Sequence, residues 1–252
     1  MDTFRHDGLR LAFLDTGPRD GRPVLLVHGF ASSMKFNWID PGWVTTLEGA
    51  GYRVLAFDHR GHGDSDKPHD PDAYYPRTMV ADAFAFLDHL GVEHAVFFGY
   101  SMGARVSAFA ALDAPERVER LVLGGLGSGL VEGVGDWDPI ADALLAPSLD
   151  DVSHERGRMF RAFADRTRSD RTALAACIRT SRDELTREEV GRIRQPTLIG
   201  VGTADDIAGS GEALAAMMPN ARSFAIERRD HMLAVGDRTF KAAVLDFLAE
   251  AD

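Results

Sequence analysis

The chain has 252 residues, 45% of them hydrophobic, with 28 Lys and Arg against 39 Asp and Glu for a net charge of −11. That length fits one domain, or one core with a small insertion, and the acidic balance argues against nucleic acid or an anionic membrane as partner. Cys177 is the only cysteine, so no intrachain disulfide forms, and no run approaches the roughly 20 apolar residues of a membrane span. With no basic stretch followed by a long apolar one near the N-terminus, the expectation is a soluble cytoplasmic protein.

In chain order, alternation in Thr3–His6 and Leu9–Asp15 around Asp7-Gly8 predicts a β-hairpin. Pro23–His28 (PVLLVH) is a short apolar run, as expected of a strand buried on both faces. Trp43–Ala50 has helical spacing and Tyr52–Asp58 is a second buried strand. Apolar positions three and four apart make Met79–Leu90 an amphipathic helix, followed by a third strand in His94–Gly99. A helix over Met102–Leu112 is stopped by Pro115, and Val118–Gly124 is a fourth strand. Thr197–Val201 and Ser223–Glu227 are the fifth and sixth, with a closing helix near Thr239–Ala249. Buried strands alternating with helices predict an α/β fold with a mostly parallel sheet covered on both faces. Residues 127–194 break that rhythm. They open on GLGSGLVEGVG and continue as polar helical stretches, including Arg158–Ala164 and Thr172–Arg179, which predicts a helical cap inserted between two strands.

Gly99-Tyr100-Ser101-Met102-Gly103 matches G-x-S-x-G between a predicted strand and a predicted helix. A turn that sharp strains the serine backbone and stands its hydroxyl out at the strand end, while the flanking glycines let neighbouring chains approach. A serine hydroxyl attacks efficiently only when a base removes its proton, and histidine suits that role. Of the nine histidines, only His154 and His231 follow Ser101. His154 lies among charged residues of the inserted segment, whereas His231 lies between the sixth strand and the last helix. The base in turn needs a carboxylate on its second nitrogen. Asp205 and Asp206, directly after the fifth strand, both reach the same rim.

His28-Gly29-Phe30, the DHRGHGDS run from Asp58 to Ser65, GYSMG, GTADD and Asp230-His231 together resemble α/β-hydrolase landmarks in their usual order. The resemblance covers nearly the whole chain outside 127–194. It implies an eight-stranded sheet with helices on both faces, a core of residues 1–126 and 195–252, a small cap of 127–194, and water-dependent acyl transfer. Its G-x-x-D spacing favours Asp205 over Asp206. It assigns the oxyanion donors to the backbone amides of Phe30 and Met102, and makes His28 a structural residue shaping its loop. The cluster of His59, His62 and Asp64 is read as a glycine-rich turn, since its spacing fits no zinc motif. Two positions depart from the pattern: Asp230 stands where glycine is usual, and Ile207-Ala208-Gly209 where a proline often follows the acid.

Phe30, Met34, Phe36 and Trp38 are candidates to line an apolar substrate pocket, with Trp137 and Met159 from the inserted segment; ordinary core packing is the competing reading for each. The implied activity is hydrolysis of a small or medium carboxylic ester, with lactones, thioesters and polyesters open. No metal or organic cofactor is called for, and the chain is expected to act as a monomer or homodimer. Carbon–carbon bond hydrolysis or perhydrolysis of the haloperoxidase kind by the same three residues is one alternative; a non-catalytic ligand-binding receptor is another. Serine at the elbow separates this chain from the epoxide-hydrolase and dehalogenase branches, which resemble the fold but use aspartate there.

Overall fold

Eight strands build one sheet in the computed structural model, which describes residues 2–250. They are β1 Asp2–His6, β2 Leu9–Thr16, β3 Pro23–Val27, β4 Arg53–Phe57, β5 Ala95–Tyr100, β6 Val118–Gly124, β7 Thr197–Gly202 and β8 Ala221–Ile226. Their spatial order is β1-β2-β4-β3-β5-β6-β7-β8. The β1–β2 and β2–β4 pairs are antiparallel and every later pair is parallel. Asp7 and Gly8 join β1 to β2 with φ of 51° and 75°, the positive pair that matches a tight hairpin to the strand twist.

The helices are α1 Trp43–Gly49, α2 Pro76–His89, α3 Met102–Asp113, α4 Gly129–Glu132, α5 Asp138–Leu145, α6 Glu155–Thr167, α7 Arg171–Thr180, α8 Arg187–Arg192, α9 Gly211–Ala215 and α10 Arg238–Ala249. Both faces of the sheet are covered, which is why the parallel strands read as unbroken apolar runs. Along β3, Leu25 and Val27 join the layer that contains α2 and α3, while Val24 and Leu26 join the opposite layer with Trp43 of α1 and Phe240 of α10. Each such fully buried side chain contributes about 1.5–3 kcal/mol. The fold is the α/β class expected from the sequence, with eight strands.

Two boundaries differ from expectation for physical reasons. Helix α2 starts at Pro76, three residues early, because proline without an N–H is well placed in the first helical turn. Strand β8 starts at Ala221 and pairs along its whole length with β7, but as an edge strand it is half-buried and lacks a continuous apolar signature. Between β6 and β7 the chain is helical, and no strand occurs there among the described residues. The predicted stretches fall inside α6 and α7; α5, whose Ile140, Ala141 and Leu144 are buried, and α8 were not visible in the sequence pattern. Helix α8 is closed by a capping box in which Thr186 accepts from the Glu189 amide and Glu189 accepts from the Thr186 amide. None of the helices among the described residues is long and apolar enough to cross a membrane.

Candidate active site

Ser101 sits between β5 and α3 with φ 53° and ψ −112°, a conformation that a non-glycine residue holds only when its surroundings enforce it. Its amide donates to the Gly124 carbonyl at 2.8 Å, and its own carbonyl accepts from the Arg105 amide at 3.1 Å. The two flanking glycines are needed for space. A Cβ on Gly99 would run into the Gly103 carbonyl, and one on Gly103 into the Val27 carbonyl of β3. The G-x-S-x-G spacing is therefore a packing requirement of the turn that presents the hydroxyl.

His231 lies on the loop between β8 and α10 and is 6% exposed. Its Nδ1 is 2.8 Å from Asp205 Oδ2, and its Nε2 is 3.0 Å from Ser101 Oγ. An ionised carboxylate only accepts, so Nδ1 donates to Asp205 and Nε2 is left to accept from the Ser101 hydroxyl. Burial pushes the Asp205 carboxyl up. The hydrogen bond and charge of His231, with the amides of Ile207 and Ala208 on Oδ1 at 2.8 and 3.0 Å, outweigh it and hold Asp205 below the usual carboxylate range. Asp206, in contrast, has its side chain 83% exposed and faces Arg156 of α6 at 3.6 Å.

Several neighbours hold this line in place. The Tyr100 hydroxyl, one residue before the serine, donates to the His231 carbonyl at 2.6 Å. The Asn37 side chain accepts from the Gly29 amide at 2.8 Å and so fixes the loop after β3. Asp230 caps its own turn by accepting from the amides of Met232 at 3.0 Å and Leu233 at 2.8 Å, which explains an acid where glycine is usual. Among the described residues the amides of Phe30 and Met102 meet no acceptor, so both donors are free for a ligand oxygen. None of the roles of Tyr100, Asn37 or Asp230 was legible beforehand; only the position of Tyr100 inside the motif offered a hint.

His28 is the structural residue that the resemblance implied. Its Nδ1 is 2.8 Å from the Gly29 carbonyl and its Nε2 accepts from the His59 amide at 3.0 Å. Full burial lowers its pKa to about 4, and burial with the nearby His28 takes His62 to about 3. Asp58 accepts from the amides of Met34 and Asp64 at 2.7 and 2.8 Å, tying this run to the loop after β3. Among the described residues no group of three or more His, Cys, Asp or Glu is arranged to hold a metal ion.

A cleft of about 320 Å³ opens on Ser101 and His231. Phe30 and Phe36 line one side and Phe160 and Phe163 of α6 the other, with Phe30 and Phe160 ring centroids 5.5 Å apart. An outer cavity of about 840 Å³ meets it at His231 and Met232 and includes Met159, Arg156 and Asp206. Met34 and Trp38 do not line the cleft. Both are fully buried, and Trp38 packs 4.8 Å from Phe98 in the layer under the sheet. The reason is a π-helical turn over Lys35–Ile39, which carries Trp38 inward while leaving Phe36 at the cleft. Trp137 is displaced too: it is 8% exposed, 5.9 Å from Phe160, and stacked against Arg182.

Residues 22–151 match the family model described as alpha/beta hydrolase fold. A non-heme chloroperoxidase of Streptomyces lividans is 40% identical over 121 residues, which are 46% of this chain and 41% of that protein. Epoxide hydrolase A of Mycobacterium tuberculosis is 36% identical over 121 residues, 43% of this chain and 37% of that one. The match thus spans less than half the length of either curated relative. Over the whole fold, the crystal structure of a hydrolase from Pseudomonas aeruginosa PA01 superposes with a TM-score of 0.82 and 28% identity, covering 99% of this chain and 98% of its own.

Proposed function

The chain belongs to the alpha/beta hydrolase fold family, and on that premise we propose that it hydrolyses carboxylic esters through an acyl-enzyme on Ser101. One observation carries the reading: an unbroken line of hydrogen bonds from Asp205 through His231 to the hydroxyl of Ser101. In the proposed reaction Ser101 Oγ attacks the ester carbonyl while His231 Nε2 takes its proton. Asp205 steadies the imidazolium that forms. The tetrahedral oxyanion takes hydrogen bonds from the amides of Phe30 and Met102, each worth about 3–4 kcal/mol in comparable sites. His231 then protonates the leaving alcohol, and a water that gives up its proton to the same nitrogen releases the acid. No step calls on a metal or organic cofactor.

The inserted residues 127–194 serve as a cap in this reading, with α6 closing the aromatic cleft over the ester. The cleft volume and its phenylalanine lining favour a small or medium acyl group. Relatives named for epoxide hydrolysis do not change the assignment, because a serine that opened an epoxide would be left as an ether, whereas an acyl-serine ester is cleaved by water to the acid and the free hydroxyl. The test is a panel of p-nitrophenyl esters of graded chain length, with lactones, a ring-cleavage dione and peracid formation measured alongside. Ester or lactone turnover exceeding the other two supports the proposal. Dominant carbon–carbon cleavage or peracid formation reassigns the reaction, and no turnover of any class makes the chain a binder.

A further inference from the structure

The inserted helices carry a positive charge that the chain does not neutralise. Arg182 follows α7 on a fixed stretch of backbone: the Leu185 amide donates to the Leu130 carbonyl at 3.0 Å, and Arg105 donates to the Asp183 carbonyl at 2.6 Å. Its guanidinium carbon stands 3.6 Å from the Trp137 ring centroid and 5.8 Å from that of Phe30. The Nε is fully covered and has no hydrogen-bond partner, and among the described residues no carboxylate pairs with the guanidinium.

Three fully buried arginines, by contrast, are satisfied. Arg60 is forked on Asp82 at 2.7 and 2.8 Å, Arg105 donates to the carbonyls of Asp183 and Gly129, and Arg161 donates to those of Ala143 and Ala146. Arg182 differs: its Nε is covered and unpartnered while the rest of the half-buried side chain keeps some exposure, which leaves donors open to a partner that arrives with the ligand. Burial lowers the Arg182 pKa to about 9, with Arg105 and Arg156 adding to the effect against Cys177, which leaves it charged at neutral pH. In a chain of net charge −11, this is a local positive field.

Its place in the fold ties it to the reaction. Phe30 lines the cleft that holds Ser101 and supplies one of the proposed oxyanion amides. Met102, next to Ser101, meets Cys177 of α7 at 3.7 Å between sulfurs, five residues before Arg182. Stacking on Trp137 occupies the face of the guanidinium and leaves its edge, the geometry that takes a carboxylate through two parallel N–H···O bonds.

We propose that Arg182 anchors a carboxylate carried by the substrate, so that the preferred substrates are esters or lactones bearing a free carboxylate at a distance from the scissile carbonyl. This rests on the ester-hydrolase reading and narrows it. Arg182 does not touch the reacting atoms, so it acts through binding and its loss raises KM more than it lowers kcat.

The test compares mono-p-nitrophenyl adipate with its methyl ester. Arg182→Gln is expected to lower the ratio of kcat/KM for the two about 10–100-fold, chiefly through KM, and Arg182→Lys to retain part of that ratio. In a second measurement, independent of turnover and of any change at 182, adipate raises the Tm of Ser101→Ala whereas dimethyl adipate does not. An unchanged ratio in Arg182→Gln, or an equal response of Ser101→Ala to adipate and its dimethyl ester, overturns the anchor. If the unmutated enzyme turned over neither ester, the ester-hydrolase reading would fail instead, and whether the adipate response of Ser101→Ala is lost in Ser101→Ala/Arg182→Gln would still decide on Arg182.

Discussion

His28 and His231 are both buried imidazoles on loops at the edge of one sheet, yet only His231 is bonded to side chains that can react. Both nitrogens of His28 are engaged by backbone, the Gly29 carbonyl on one side and the His59 amide on the other. Those of His231 face a carboxylate and a hydroxyl. Burial alone therefore does not mark a base; the chemistry of the two partners does. A ring held between backbone groups has no proton to exchange with a ligand, whereas one between Asp205 and Ser101 can pass a proton from the hydroxyl to a leaving group.

The largest effect that would sharpen this contrast is at the hydroxyl. Ser101→Ala is expected to lower kcat/KM on a p-nitrophenyl ester about 10⁴–10⁶-fold with little change in Tm, as measured by steady-state kinetics and thermal unfolding. Near-normal turnover would move the nucleophile elsewhere. Next comes the carboxylate. Asp205→Asn should cost about 10⁴-fold in kcat, because an amide favours the wrong tautomer of His231, while Asp206→Asn stays within about threefold. A reversed order would exchange the two acids.

The idle histidine shows itself in stability instead. His28 takes up its proton at about 4 in the folded chain against an ordinary 6.5, so between those values the unfolded chain binds more protons. Stability is then expected to fall as pH drops from about 6.5 to about 4, by about 3 kcal/mol from this ring. Urea midpoints across that range should flatten in His28→Asn, and an unaltered slope would show that His28 is not held neutral. The smallest effect is at Tyr100. Tyr100→Phe removes the bond to the His231 carbonyl and should cost about 1 kcal/mol in urea unfolding, with a modest loss of kcat.

Much of this was legible because strands buried on both faces announce themselves. The runs PVLLV, AVFFG and TLIGV locate three parallel strands, and their ends deliver residues 28–30, 101 and 205 to one rim. Glycines at 99 and 103 had to be there for β3 and α3 to approach. What escaped the sequence was side-chain direction outside regular elements. Met34 and Trp38 looked like pocket residues until the π-helical turn carried Trp38 into the core beside Phe98. The choice between Asp205 and Asp206 is likewise a matter of which way a loop side chain turns. Arg182 was invisible for a different reason: a missing partner is a property of three dimensions, and a loop arginine gives no sign of it in sequence.

The most direct measurement is covalent labelling with a fluorophosphonate, read by peptide mass mapping and by rate. A single adduct on Ser101 is expected, formed quickly in the unmutated chain and at least about a hundredfold more slowly in His231→Ala. An adduct on another residue, or labelling of Ser101 at an undiminished rate without the imidazole, would contradict it.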